Sequence, residues 1–223
     1  MITVKYSKLN DARFLSHLDM QTILQRTIKR AGFTPVFTMG FNPRPVFKMS
    51  KPLPLGVASR CEYFSVDIHD ISREDFLERA KLQTPKGIEL LNAWITEKDP
   101  KVYNLGVISE YEIKSEHLNY NKIEKLKEKI KTDFIIPKKQ KKKYIDENVS
   151  DLIFDIKYIE NKTVVCLMSD EGLNLRINDF LNGVNYLFSI NISIKNAIKT
   201  AQYINKKMIS IDTYLSTLAE VKK

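Results

Sequence analysis

Binding or catalytic capacity in this sequence is concentrated in a histidine set among arginines, two proline-stiffened loops and a lysine run. Arg13 and His17 flank Ser16, which with Asp19 marks a helix start. Unpaired backbone N–H groups and the helix dipole at such an end favour an anion and disfavour a protonated ring. His17 could therefore bind phosphate, serve as a general acid or base, or simply cap and pack. Arg26 and Arg30 lie on the same helix, outside its apolar stripe of Met20, Ile23, Leu24, Thr27, Ile28 and Ala31. Gly40-Phe41-Asn42-Pro43-Arg44-Pro45 is permissive at its glycine and stiff at its prolines, so it should form a surface loop that aims Asn42 and Arg44 and exposes Phe41. Pro52-Leu53-Pro54-Leu55-Gly56 is a second such loop, leading through Ser59 to Glu62. Both are equally explained as turns between strands. Lys138, Lys139, Lys141, Lys142 and Lys143 form the densest charge run, which suits either a phosphate backbone or a solvated edge.

Other chemistries lack their residues. The two cysteines, Cys61 and Cys166, sit singly in apolar stretches and are expected to be buried free thiols in a reducing compartment, most simply a cytoplasm. Histidines 17, 69 and 117 are too scattered for a ligand set, and no phosphate-loop, dinucleotide, nucleophile-elbow or zincin motif occurs. No metal and no cofactor is expected.

These residues need elements to hold them. Ile2 to Ser7 alternates as a strand, a helix runs from Ser16 to a stop at Gly32, and short extended pieces flank the Gly40 loop. Glu62 to Ile68 alternates again, Ser72 opens a helix to about Gln83, and Glu89 to Thr96 is a strand. The order β-α-β-β-α-β is the ferredoxin-like arrangement, in an α+β protein. Lys98-Asp-Pro-Lys101 reads as a linker, dividing a domain at 1–98 from a second at 102–223 that carries the lysine-rich segment 138–143. In the second half, strands are expected at Leu105–Lys114, Leu152–Ile159 and Thr163–Met168, the last two as a hairpin turning at Glu160-Asn161-Lys162. Helices are expected at Asn121–Lys131 and Ile177–Leu181, and extended structure at Ile190–Ile204. The element order approximately repeats the first half, without a residue-level repeat.

The chain has 223 residues and a formal net charge of +9, which favours polyanions such as RNA, although a lysine-rich composition alone produces the same excess. No apolar run is long enough to span a bilayer, so a soluble, non-membrane protein is expected.

Arg13-Phe-Leu-Ser-His-Leu-Asp19, Arg26 through Arg30-Ala-Gly32, Gly40-Phe-Asn-Pro43 with Pro45, Pro52-Leu-Pro-Leu-Gly56, and Ser59 with Glu62-Tyr63 together resemble the radical-SAM-linked domain of unknown function. The resemblance covers about residues 1 to 98 strongly and the remainder loosely, including Gly172-Leu-Asn-Leu-Arg176. Members occur next to, or fused to, cobalamin-binding-type radical SAM proteins, so the resemblance implies such a protein as partner. The family usually has histidine where this chain has Arg44; arginine can replace an anion contact but not a proton-transfer group, which favours binding. The chain has no CxxxCxxC cluster motif, so it is not the radical SAM protein itself. A weaker, architectural likeness is to RAMP endonucleases, in which His17 would be the candidate base.

The expectation is a non-catalytic RNA-binding accessory to a radical SAM modifying enzyme. Arg13, His17, Arg26, Arg30, Asn42 and Arg44 would form its anion site, with the lysine run adding phosphate contacts, and Gly40, Phe41, Pro43, Gly56, Ser59 and Glu62 its docking surface. The rivals are a metal-independent, RAMP-like ribonuclease using His17 and a scaffold that contacts only protein. The oligomeric state is left open.

Overall fold

In the computed structural model, which describes residues 1–140, 143–170 and 172–220, the first half is built on β1 (Ile2–Lys8). Its Ile2, Val4 and Tyr6 are fully covered on one face. The helix after it, α1 (His17–Arg30), starts where its capping box requires: Ser16 Oγ accepts from the Asp19 N–H at 3.1 Å, and the Ser16 N–H donates back to Asp19 Oδ2 at 3.1 Å. Gly32 ends it at φ 79°, the left-handed conformation that glycine adopts without steric cost.

Then follow β2 (Phe47–Met49), β3 (Ala58–Val66), α2 (Arg73–Lys81) and β4 (Ile88–Ile95). All pairings are antiparallel, in the spatial order β4-β1-β3-β2. The second half comprises β5 (Ile108–Ile113), α3 (Tyr120–Lys131), the hairpin β6 (Ile135–Gln140) and β7 (Lys143–Asn148), β8 (Ile153–Ile159), β9 (Lys162–Asp170), β10 (Leu173–Asn174), α4 (Ile177–Phe188), β11 (Ala197–Tyr203) and α5 (Ile211–Glu220). Its main strands lie antiparallel in the order β11-β5-β9-β8. Parallel pairing of β11 with β3 fuses both sets into one nine-stranded mixed sheet, while β6 and β7 form a separate two-stranded sheet.

One face carries two apolar cores. The first packs Met20, Leu24 and Ile28 of α1 and Phe76 of α2 on Val4, Tyr6 and Phe64. The second packs Ile123 and Leu126 of α3 and Phe180, Leu181 and Val184 of α4 on Ile113, Val165 and Leu167. On the reverse face α5 lays Ile211 and Leu215 on Cys61, Tyr63 and Trp94. No described helix is long and apolar enough to cross a membrane.

Several elements differ from the sequence expectation. β3 begins at Ala58, ahead of the Glu62 expected, because Ala58 and Ser59 also find sheet partners and burial. α4 extends to Phe188, and α5 forms where no element was expected. The β6–β7 hairpin, which carries part of the lysine segment, was not among the strands expected, although an edge strand was one reading of the run. The β8–β9 turn falls as expected, with Glu160 and Asn161 at φ 49° and 60°, as a two-residue type I′ hairpin requires.

Candidate functional site

Lys8, Ser59, Lys199 and Tyr111 are successive cross-strand neighbours on β1, β3, β11 and β5. Directly opposed residues share a sheet face. Two adjacent bulges then bring a second tier to that face. β3 uses three steps from Ser59 to Glu62 where β1 uses two from Lys8 to Tyr6, and β11 uses three from Lys199 to Gln202 where β5 uses two from Tyr111 to Ser109. Without the bulges, strand alternation would turn Glu62 and Gln202 to the other face. With them, Ser59 Oγ donates to Glu62 Oε1 at 2.7 Å and Lys199 Nζ pairs with the same oxygen at 2.5 Å. Both members of this ion pair are about 95% buried, with side-chain exposures of 5% and 4%. Ser50 Oγ adds a longer contact of 3.4 Å to Glu62 Oε2.

The electrostatics follow from that burial. Desolvation pushes the Lys199 ammonium down, but the Glu62 carboxylate, with smaller contributions from Cys61 and Tyr111, offsets it and leaves Lys199 above the ordinary lysine range. Lys8, whose Nζ donates to the Leu15 carbonyl at 2.6 Å, is lowered by burial and partly restored by Glu62. Glu62 thus pairs directly with buried Lys199 and acts at longer range on buried Lys8. His17 is half-buried; desolvation lowers its pKa, Glu62 opposes that and Lys8 reinforces it. Its ring is therefore pushed toward the neutral form.

Beside the ion pair the seam between the halves opens into a cavity of about 700 Å³. It exists because the outer edge of β3 is shared: β11 pairs at Ala58 and Ser59, β2 at Phe64 to Val66, and between them the Cys61 carbonyl is taken by Gln202 Nε2 at 2.6 Å. Lys199, Gln202, Tyr111 and Ser109 form the floor. One wall is Pro52-Leu53-Pro54 and the other the segment ending in Leu175 and Arg176. Lys51 joins the walls, donating from Nζ to the Ser169 carbonyl at 2.7 Å and pairing with Asp170 at 3.8 Å. The second proline loop of the sequence thus faces the Gly172 to Arg176 segment across one cavity. Among the described residues no group of three or more His, Cys, Asp or Glu side chains is placed to hold a metal ion.

The structure does not gather the expected anion site round His17. Arg13 is tied to carbonyls, with Nε on Asn10 and Nη1 on Lys195, both at 3.2 Å. Arg26 and Arg30 are exposed, but helix rise puts them ~13 and ~20 Å along the axis from His17, and nine or thirteen residues is about half a turn round it. Asn42 and Arg44 stand exposed on the loop bridged at Phe37 and Pro45, and none of these residues lines the cavity. Of the expected docking residues, Gly40, Phe41 and Pro43 are exposed, Phe41 fully so. Gly56, Ser59 and Glu62 are buried and cannot meet a partner; their motif builds the seam instead. Lys138 and Lys139 fall on β6 and Lys143 on β7, while Lys141 and Lys142 lie outside the described residues.

Lys8, Lys51, Tyr111, Lys199 and Gln202 went unnoticed in the sequence. The available signal was a charged residue inside a strand-like stretch, as at Lys199 in Ala197–Tyr203.

Both thiols are free and buried, and burial pushes each up to about 12. At pH 8 only about one thiol in ten thousand is then thiolate, the reactive form. Native protein treated with iodoacetamide at pH 8 should gain no mass, while protein in denaturant gains two adducts. Rapid labelling of the native state would contradict the buried positions of Cys61 and Cys166.

A family model described as uncharacterized protein conserved in bacteria (DUF2344) matches residues 1–177. The chain belongs to this family. The DUF2344 match takes in both cavity walls and Glu62, and it ends at the first residue of α4, short of Lys199 and Gln202. No curated protein matches the chain.

Proposed function

We propose that this chain is a cytoplasmic RNA-binding accessory that holds a structured RNA for a radical SAM modifying enzyme. In this reading it is built as two ferredoxin-like units, 1–98 and 102–223. Each half shows the strand order 4-1-3-2 with all neighbours antiparallel, the second half with the β6–β7 hairpin inserted.

The observation that carries the RNA reading is the dispersion of unpaired positive charge. Arg26, Lys29 and Arg30 at the end of α1, and Arg176 at the cavity rim, are exposed and have no acidic partner among the described residues. The sequences of β6 and β7 also contain lysines, Lys138, Lys139 and Lys143. A small anion touches only one such place, whereas a polyanion can engage several at once. The loop tip with Met39 and Phe41, both fully exposed, supports docking of the protein partner, since large apolar side chains held in water gain most from being covered.

Cleavage by His17 has little geometric support. The carboxylate that acts on it electrostatically, Glu62, is committed to Lys199 and Ser59 and so is not free to relay a proton. Purified protein incubated with total RNA in chelator, at low and moderate salt, tests the reading. Retention that weakens with salt, without cutting, is expected. Defined cuts would move the assignment to a ribonuclease, and no retention at all to a protein-only scaffold.

A further inference from the structure

The cavity has a chemical character of its own. Its volume lies within the ~300–1,000 Å³ of small-molecule sites. Its interior cations are balanced, Lys199 by Glu62 and Lys51 by Asp170. What the floor offers is therefore hydrogen bonding with little net charge. Lys199 lines the cavity and has three N–H donors, of which Glu62 occupies one. Gln202 is 3% exposed and lines the cavity; its Nε2 is held by the Cys61 carbonyl, and among the described residues its Oε1 accepts no hydrogen bond. Pro52, Leu53 and Pro54, with Leu175 opposite, supply apolar surface.

The rim differs from the interior. Arg176 lines the cavity, is exposed, and lacks an acidic partner among the described residues. Its planar guanidinium suits phosphate better than a lysine ammonium does. Asp179 also lines the cavity, but it belongs to the first turn of α4, where the helix dipole stabilises a carboxylate, and so leaves the anion to the Arg176 side. A planar, neutral ligand with donor and acceptor edges and a single anionic group at one end fits this distribution.

We infer that the cavity between the halves holds one ribonucleotide unit, its base on Lys199 and Gln202 and its phosphate at Arg176. The inference rests on the RNA-binding reading and gives it a point of recognition. No nucleotide motif marks the site in the sequence because its parts come from β5, β11 and two loops far apart in the chain.

Calorimetric titration of the intact protein with each of the four ribonucleoside 5′-monophosphates, the matching nucleosides and inorganic phosphate tests it. At least one nucleotide should bind saturably, roughly tenfold or more tightly than its nucleoside or phosphate alone, a difference of about 1.4 kcal/mol. Arg176→Ala should abolish the advantage of nucleotide over nucleoside, and Gln202→Leu should weaken both. Gln202→Leu also strips the Cys61 carbonyl of its donor; if that variant does not fold, the exposed Arg176→Ala carries the test. Failure of all four nucleotides to bind up to millimolar concentration, phosphate binding as tightly as any nucleotide, or indifference to Arg176→Ala would each overturn the inference. If RNA is nonetheless retained, the cavity assignment fails alone. Nucleotide binding without RNA retention would instead remove the RNA reading and leave a mononucleotide site.

Discussion

Glu62→Gln should destabilise the protein by about 3–5 kcal/mol, the range for removing one partner of a buried ion pair. The change removes the carboxylate that pairs with buried Lys199 and that acts electrostatically on buried Lys8. Lys199→Met should cost less, because Lys8 remains near to compensate Glu62 and Ser59 still donates to it. The double variant Glu62→Gln/Lys199→Met should recover much of the loss, since no pair then remains to be broken. Urea denaturation of the three variants measures this. A Glu62→Gln protein within about 1 kcal/mol of the parent would show the pair to be solvated, against the burial described above. The pH dependence has a definite sign. Lys199 is raised in the folded state, so the pair's contribution is fully present below the unfolded value of 10.5 and is lost as pH climbs through the higher folded value. Above pH 10.5 the parent should therefore lose stability more steeply than Lys199→Met.

Changing Lys138, Lys139, Lys141, Lys142 and Lys143 to glutamine should flatten the salt dependence of RNA binding. Each phosphate contact to single-stranded nucleic acid contributes about 0.7 to the slope of log affinity against log salt, so five contacts contribute about 3.5. A fourfold rise in salt then weakens the parent about 100-fold through these contacts alone, and the variant should lack that component. The loss should be similar across sequences, because a lysine ammonium meets phosphates as a point charge and does not read bases. The hairpin itself should stay in place. Its seat is Phe134 and Ile136 against Gly183 of α4, where a side chain on Gly183 would collide with both. An unchanged slope would return the run to the role of a solvated edge that resists strand pairing.

Local signals carried the first level of this structure. The reciprocal bonds of Ser16 and Asp19, the stop at Gly32 and the turn at Glu160-Asn161 each depend on a few consecutive residues, and each formed where the chain spelled it. The burial of Cys61 and Cys166 and the exposure of Phe41 followed from the character of their segments. Arg26 and Arg30 were recognisable as outward-facing from helical spacing, and their distance from His17 follows from the same helix geometry, whereas the tie of Arg13 to the Lys195 carbonyl depends on the tertiary fold. Gly56, Ser59 and Glu62 read as a loop leading to a strand, whereas tertiary pairing put a bulge between Ser59 and Glu62 and turned both inward. Lys199 and Gln202 acquired a role only when β11 came to lie beside β3, with a matching bulge against β5. A bulge is a count of residues on one strand against its neighbour, and the partner of a buried charge depends on strand order. Neither quantity exists within a window of single-chain sequence, so the cap, stop and turn were set locally, while the ion pair and the cavity beside it were decided by the assembled sheet.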